Sequence, residues 1–159
     1  ECMNKCENVY FRYRKEAAKT DSRLSGRENA AQLLGISAET LRAYECGLTK
    51  TVPPDSVLQM SLVYNAPELR NHYCRNVCPI GEKFVPALDV GQLELDRLTI
   101  RLLASLRNIV ETKDTLVDIV ADGVISEEER PSLARVMETL DSISLHTQEL
   151  RVWAEKNLK

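Results

Sequence analysis

The fold of this chain is decided by residues 27–47, RENAAQLLGISAETLRAYECG. The stretch predicts two short helices, one ending at Gly35 and the other covering about residues 38–46. Ser37 is the expected N-cap of the second helix, since a serine side chain can accept a hydrogen bond from an unpaired helical N–H. Gly35 and Gly47 are the expected helix stops, because glycine adopts the left-handed conformation that commonly ends a helix.

The apolar residues of this stretch predict how the two helices pack. Ala31 is small and is expected where the helices cross, so that they can approach at a steep angle. Leu34, Ile36 and Leu41 are expected to bury the inner faces. Such a pair leaves the outer face of the second helix exposed, in the geometry that fits the DNA major groove.

The segments around this pair complete a small helical domain in the first half of the chain. Ser25 with Glu28 forms an expected capping box that starts the first helix of the pair. Residues 20–24 are interpreted as a polar connector. Three further helices are predicted, over residues 8–19, from Pro54 to Tyr64, and from Pro67 to about Cys74.

Two motifs within the stretch resemble a known family. Residues 30–37, AAQLLGIS, and the ending Tyr44-Glu45-Cys46-Gly47 are similar to the Cro/cI-type helix-turn-helix of phage repressors and bacterial regulators, often called the xenobiotic-response-element family. The resemblance covers about residues 5–75. It implies an all-α, lambda-repressor-like domain of five helices. It also implies a sequence-specific transcriptional regulator, of repressor type, that binds a double-stranded DNA operator.

The resemblance further implies which side chains meet DNA. Arg27 matches the start of the first motif helix, which contacts a phosphate or a base edge. Arg42 can donate two hydrogen bonds to guanine, and Glu39 can accept one from cytosine. Glu45 matches a position that pairs, buried, with an arginine of the first helix, for which Arg14 is the candidate. The predicted DNA-binding set is Arg27, Ser37, Ala38, Glu39, Thr40, Arg42, Ala43, Thr49 and Lys50.

The second half of the chain predicts a long antiparallel helical hairpin. Apolar residues recur every three or four positions in two segments, which is the pattern of a helix with one apolar stripe. The predicted division is a DNA-binding domain over residues 1–78, a linker over 79–92 rich in Pro and Gly, and the hairpin over 93–159. Two helices alone bury one seam, so we expect the hairpin to pair with a second copy as a homodimer.

Four residues carry the chemistry of a metal site. Cys6, His72, Cys74 and Cys78 carry the sulfur and nitrogen ligands that zinc prefers, and Cys2 could replace His72. Free thiols and a redox disulfide are the alternatives, and free thiols are the default for cysteines that behave as small hydrophobic residues. No other cofactor is expected.

Charge and composition favour some classes of function over others. Residues 1–80 hold 11 Lys and Arg against 9 Asp and Glu, whereas residues 81–159 hold 10 against 15. The first half is thus the part suited to an anionic partner. We find no apolar run of the ~18 residues that a membrane span requires, no signal-peptide pattern and no catalytic motif. The expectation is a cytoplasmic, non-enzymatic protein. The alternative function is a protein-interaction adaptor whose helix-turn-helix serves only for packing.

Overall fold

The structure is a computed structural model that describes residues 8–89, 94–121 and 123–158. Within these ranges every regular element is helical and no β-strand occurs, which confirms the predicted all-α class. The chain forms two compact units that divide between Ala87 and Leu88.

The first unit contains six α-helices among its described residues. A single turn of 3₁₀ helix, Ser22–Leu24, lies between the first two of them. The helices are α1 Val9–Ala17, α2 Arg27–Leu34, α3 Ala38–Glu45, α4 Pro54–Val63, α5 Glu68–Asn76 and α6 Gly81–Phe84.

Local caps explain why the helices of the first unit begin and end where they do. The side chain of Asn8 accepts a hydrogen bond from the N–H of Tyr10 at the start of α1. Ser37 accepts one from the N–H of Thr40 at the start of α3, as predicted. Gly35 ends α2 with φ of 68°, and Gly47 follows α3 with φ of 64°. These stops confirm the roles predicted for both glycines.

The predicted capping box at Ser25 is wrong, because α2 begins one residue later with Gly26 as its N-cap. Ser25 instead ends the 3₁₀ turn, with φ of −66° and ψ of −42°. An N-cap residue has extended backbone angles, whereas those of Ser25 are helical. The side chain of Ser25 is therefore not placed to cap α2.

The core of the first unit lies among α1–α5. Ala31, Leu34 and Leu41 are buried in it and Ile36 packs against it, as predicted for the α2–α3 pair. Leu24 is 1% exposed, so the segment interpreted as a polar connector contributes a core residue. The buried apolar residues are Tyr10, Leu24, Ala30, Ala31, Leu34, Leu41, Tyr44, Val52, Val57, Met60, Tyr64, Ala66 and Leu69.

Part of the predicted linker is folded onto the first unit. Residues 81–84 form α6, and α6 packs against α5. A Cβ atom at Gly81 would lie 2.2 Å from the carbonyl oxygen of Cys74. Only glycine permits that approach, so Gly81 serves close packing here and not chain flexibility. The linker prediction is therefore wrong for these residues.

The second unit contains three helices among its described residues, where two were predicted. They are α7 Leu95–Leu106, α8 Ile109–Ile119 and α9 Arg130–Asn157, and α9 packs against both of the others. The first predicted arm is broken at Arg107 and Asn108. Asn108 has φ of −103° and ψ of 17°, and its carbonyl accepts bonds from both the N–H and the hydroxyl of Thr112. Asparagine favours such helix ends over helix interiors.

The second unit buries few of its large apolar side chains. Leu98, Ile119 and Val136 are buried, whereas Ile100 and Leu103 on α7 are 66% and 62% exposed. Val110 and Val117 on α8 are exposed to similar extents. None of the described helices combines the length and the hydropathy needed to span a membrane.

Candidate nucleic-acid interface

Helices α2 and α3 form a tight pair joined by the turn Gly35–Ser37. The N–H of Ile36 donates to the carbonyl of Ala31 at 3.1 Å, which closes the turn on the end of α2. The pair then packs through buried Ala31 and Leu41. The turn and this packing fix the direction of α3 relative to α2.

A buried ion pair holds α3 to α1. Arg14 is 2% exposed and Glu45 is fully buried. The Nη2 of Arg14 donates to Oε2 of Glu45 at 3.0 Å, and its Nε donates to Oε1. Nη1 of Arg14 donates to the carbonyls of Leu24 at 2.9 Å and Ser25 at 3.1 Å. The predicted Arg14–Glu45 pair is confirmed, and it also fixes the 3₁₀ turn.

Arg27 joins the same cluster. Its Nε donates to Oε2 of Glu45 at 2.9 Å, and its side chain is 31% exposed. Two guanidinium groups therefore share one carboxylate. The sequence predicted Arg27 as a DNA contact. In this structure its Nε holds the start of α2 against the end of α3.

The outer face of α3 carries most of the other predicted contacts. Ser37 and Glu39 are exposed, while Thr40, Arg42 and Ala43 are half-buried. Nη1 of Arg42 donates to Oε1 of Glu39 at 2.9 Å. The two side chains with base-reading chemistry are thus paired with each other in the DNA-free chain. Ala38 is half-buried at the first position of α3 and packs against the core.

Thr49 and Lys50 lie in the loop between α3 and α4, and both are exposed. The structure therefore puts every predicted DNA-binding residue on α3, in the segments flanking it, or at the start of α2. One positioning contact was missed by sequence reasoning: Nδ2 of Asn8 donates to the carbonyl of Tyr44 at 3.1 Å. An asparagine just before a helical pattern predicts an N-cap. The pattern does not reveal that the same side chain also donates a hydrogen bond to Tyr44, which is distant in the sequence.

The described part of the predicted metal site does not form a cluster. Within the described ranges no group of three or more His, Cys, Asp and Glu side chains could hold a metal ion. Cys74 and Cys78 are free thiols, and Cys78 Sγ accepts a hydrogen bond from the N–H of Gly81. His72 lies beside Asn76, whose amide is 3.2 Å from its Nδ1. Cys6 and Cys2 lie outside the described residues.

Comparison with known proteins adds no relative. No family model, no curated protein and no solved structure matches this chain. The geometry of α2, α3 and their supporting ion pair is therefore the basis for the functional proposal.

Proposed function

We propose that the first unit binds double-stranded DNA through a helix-turn-helix formed by α2 and α3, in a lambda-repressor-like arrangement, and that the chain is a sequence-specific transcriptional regulator acting in the cytoplasm. The observation that carries the proposal is the support of α3. Its inner face is fixed by the buried Arg14–Glu45 pair, while its outer face is open to solvent. A rigid helix with one free face is what major-groove recognition requires.

The chemistry of that face supports binding to both backbone and bases. The hydroxyls of Ser37, Thr40 and Thr49 and the ammonium of Lys50 are suited to phosphate oxygens, which fix the register of a protein on DNA. Arg42 can donate two hydrogen bonds to a guanine in the major groove. The paired Glu39 would then accept from a neighbouring cytosine, so the ion pair of the free chain is exchanged for base contacts.

The proposal includes a homodimer formed by the second unit. Glu39 and Arg42 are the base-reading side chains of α3, so a single copy reads few bases and two copies are needed for a specific operator. Ile100 and Leu103 on α7, together with Val110 and Val117 on α8, provide exposed apolar surface for a second copy. A dimer would bind two half-sites about 34–36 Å apart on one face of the duplex.

The rival function is a protein-interaction adaptor. The observation that favours it is the Glu39–Arg42 ion pair, because it satisfies the side chains that would otherwise read bases. In that case the α2–α3 pair serves only to pack the first unit. The second unit would then bind a different protein.

The two functions are distinguished by a salt titration. Binding of a fluorescent random-sequence duplex is measured by anisotropy between 50 and 200 mM salt, concentrations at which phosphate contacts change affinity steeply. We expect binding at low salt, a steep loss as salt rises, and weaker binding by Arg42→Ala. Lys83→Gln is the control, since Lys83 is an exposed cation of the same unit on α6. Absence of binding at 50 mM salt would favour the adaptor.

A further inference from the structure

A second surface of the first unit has the features of a ligand site. It is an open cleft of about 400 Å³ between the start of α1, the loop after α3 and the C-terminal half of α5. That volume lies within the range of small-molecule pockets, about 300–1,000 Å³. Its walls include buried Tyr10 and Tyr44 and the apolar side chains of Val9, Val52 and Val77.

The two formally charged side chains that line the cleft are both cationic. Arg12 from α1 and Lys50 from the loop after α3 line it, and so does the imidazole of His72 from α5. No Asp or Glu is among the described residues that line it. Arg12 stacks over the ring of Tyr13 at 5.7 Å and makes no ion pair with a carboxylate in the described ranges, and neither does Lys50. Both cations therefore line the cleft without a carboxylate beside them in its described lining.

Neutral groups in the cleft add donors for an oxyanion. Thr49 and Thr51, which flank Lys50 in the loop after α3, also line the cleft, and each carries a hydroxyl. Val9 and Tyr10 of the first turn of α1 line the cleft as well, and the N-terminus of a helix carries partial positive charge. Two cations, two hydroxyls and a helix N-terminus around one space are complementary to a dianion.

We propose that this cleft binds a phosphate group. A phosphomonoester fits better than a monocarboxylate, because it carries nearly two charges and three acceptor oxygens for the donors described above. The valines and tyrosines of the walls accommodate an organic body next to the phosphate. The phosphate has two sources, a small phosphomonoester acting as an effector or the backbone of bound DNA. The second source rests on the proposed DNA binding, since Lys50 belongs to both surfaces.

The first arm of the test uses the full chain without DNA. Phenyl phosphate is titrated while the amide resonances of ¹⁵N-labelled protein are followed, with inorganic phosphate and benzoate as comparison probes. For a small effector we expect saturable shifts at Gly47, Thr49 and Val52, with phenyl phosphate binding more tightly than either comparison probe. Arg12→Gln should weaken the binding roughly ten-fold, because a charge-assisted hydrogen bond is lost. Lys83→Gln, the matched loss of one exposed cation outside the cleft, should leave it unchanged.

The second arm measures binding of duplex DNA by Arg12→Gln. If the phosphate comes from DNA, phenyl phosphate gives no shifts, but Arg12→Gln weakens DNA binding at all sequences and lowers the salt slope by about 1 relative to Lys83→Gln. Shifts in the first arm show a small-molecule site even if the chain binds no DNA, so the two proposals can fail separately. The cleft proposal is overturned if neither arm responds to Arg12→Gln, or if Lys83→Gln has an equal effect.

Discussion

Arg14 and Glu45 form a buried ion pair in which the guanidinium donates from both Nε and Nη2 to the two carboxylate oxygens. The pair joins the middle of α1 to the last residue of α3. The same guanidinium binds the carbonyls of Leu24 and Ser25, so one side chain joins α1, the 3₁₀ turn and α3. The proposed recognition face thus depends on a contact that lies behind it and never meets DNA.

Removing one partner of this pair should destabilise the first unit strongly. Arg14→Met keeps an unbranched side chain but removes the hydrogen bonds to Glu45 and to the carbonyls of Leu24 and Ser25. Because Arg27 still compensates the charge of Glu45, we expect a loss of about 3 kcal/mol in the free energy of unfolding, at the lower end of the cost of breaking a buried ion pair. Urea denaturation followed by circular dichroism measures it. Lys19→Met is the control on the same polypeptide segment, because Lys19 forms an exposed pair with Glu16. Equal stabilities for the two variants would contradict the role given to Arg14.

The two glycines at the ends of α2, Gly26 and Gly35, should respond in opposite ways to substitution by serine. Gly35 has φ of 68°, whereas Gly26 has φ of −90°, and a Cβ atom at either position would meet no atom within 4 Å. Gly35→Ser should therefore cost about 1–2 kcal/mol from backbone strain alone. Gly26→Ser should stabilise the protein by a few tenths of a kcal/mol, since serine is a good N-cap. Thermal melts of the two variants that shift in the same direction would refute this assignment.

The stability of the first unit should depend on the protonation of His72. Burial, together with the nearby charge of Arg12, lowers the pKa of His72 below its ordinary value. The folded chain therefore binds fewer protons than the unfolded chain as pH falls below about 6.5, so this contribution to stability is present above that pH and is lost below it. His72→Asn removes the effect.

The test compares free energies of unfolding of the wild type and His72→Asn between pH 5 and 7.5. The wild type should gain more stability than the variant as pH rises. A difference between the two proteins that does not change with pH would contradict the prediction, because the remaining titratable groups are common to both.

Self-association should depend on the outer face of α7. Leu103→Lys places a charge on a side chain that is 62% exposed, so it should abolish dimerisation without unfolding the second unit. Sedimentation velocity at micromolar concentration measures the mass. Thr147→Lys, at an exposed polar position of α9, is the matched control and should stay dimeric. A wild-type protein that sediments as a monomer would refute the homodimer.

Local chemistry in the sequence was sufficient to predict the helices around the proposed interface. Ser37 and Gly35 act within a few residues of themselves, so their roles follow from the sequence alone. The N-cap of α2 is Gly26 and not Ser25. The carbonyl of Ser25 accepts a hydrogen bond from Arg14 of α1. Such long-range contacts leave no local pattern.

Two other features could not be predicted from the sequence, because they too depend on contacts between distant residues. The packing of Gly81 on Cys74 is a close backbone approach that composition alone cannot distinguish from a flexible linker. The proposed phosphate cleft combines Arg12, Lys50 and His72 from three separate elements, and nothing in their sequence spacing brings them together. Folding alone brings the two cations Arg12 and Lys50 to one cleft in a chain whose formal net charge is −3.

The central claim is that the outer face of α3 contacts DNA, and amide chemical-shift mapping of ¹⁵N-labelled protein during titration with duplex DNA tests it most directly. We expect salt-dependent shifts concentrated at residues 37–43 and at Thr49 and Lys50, with smaller shifts in α4. Shifts confined to other surfaces, or no shifts at low salt, would contradict it.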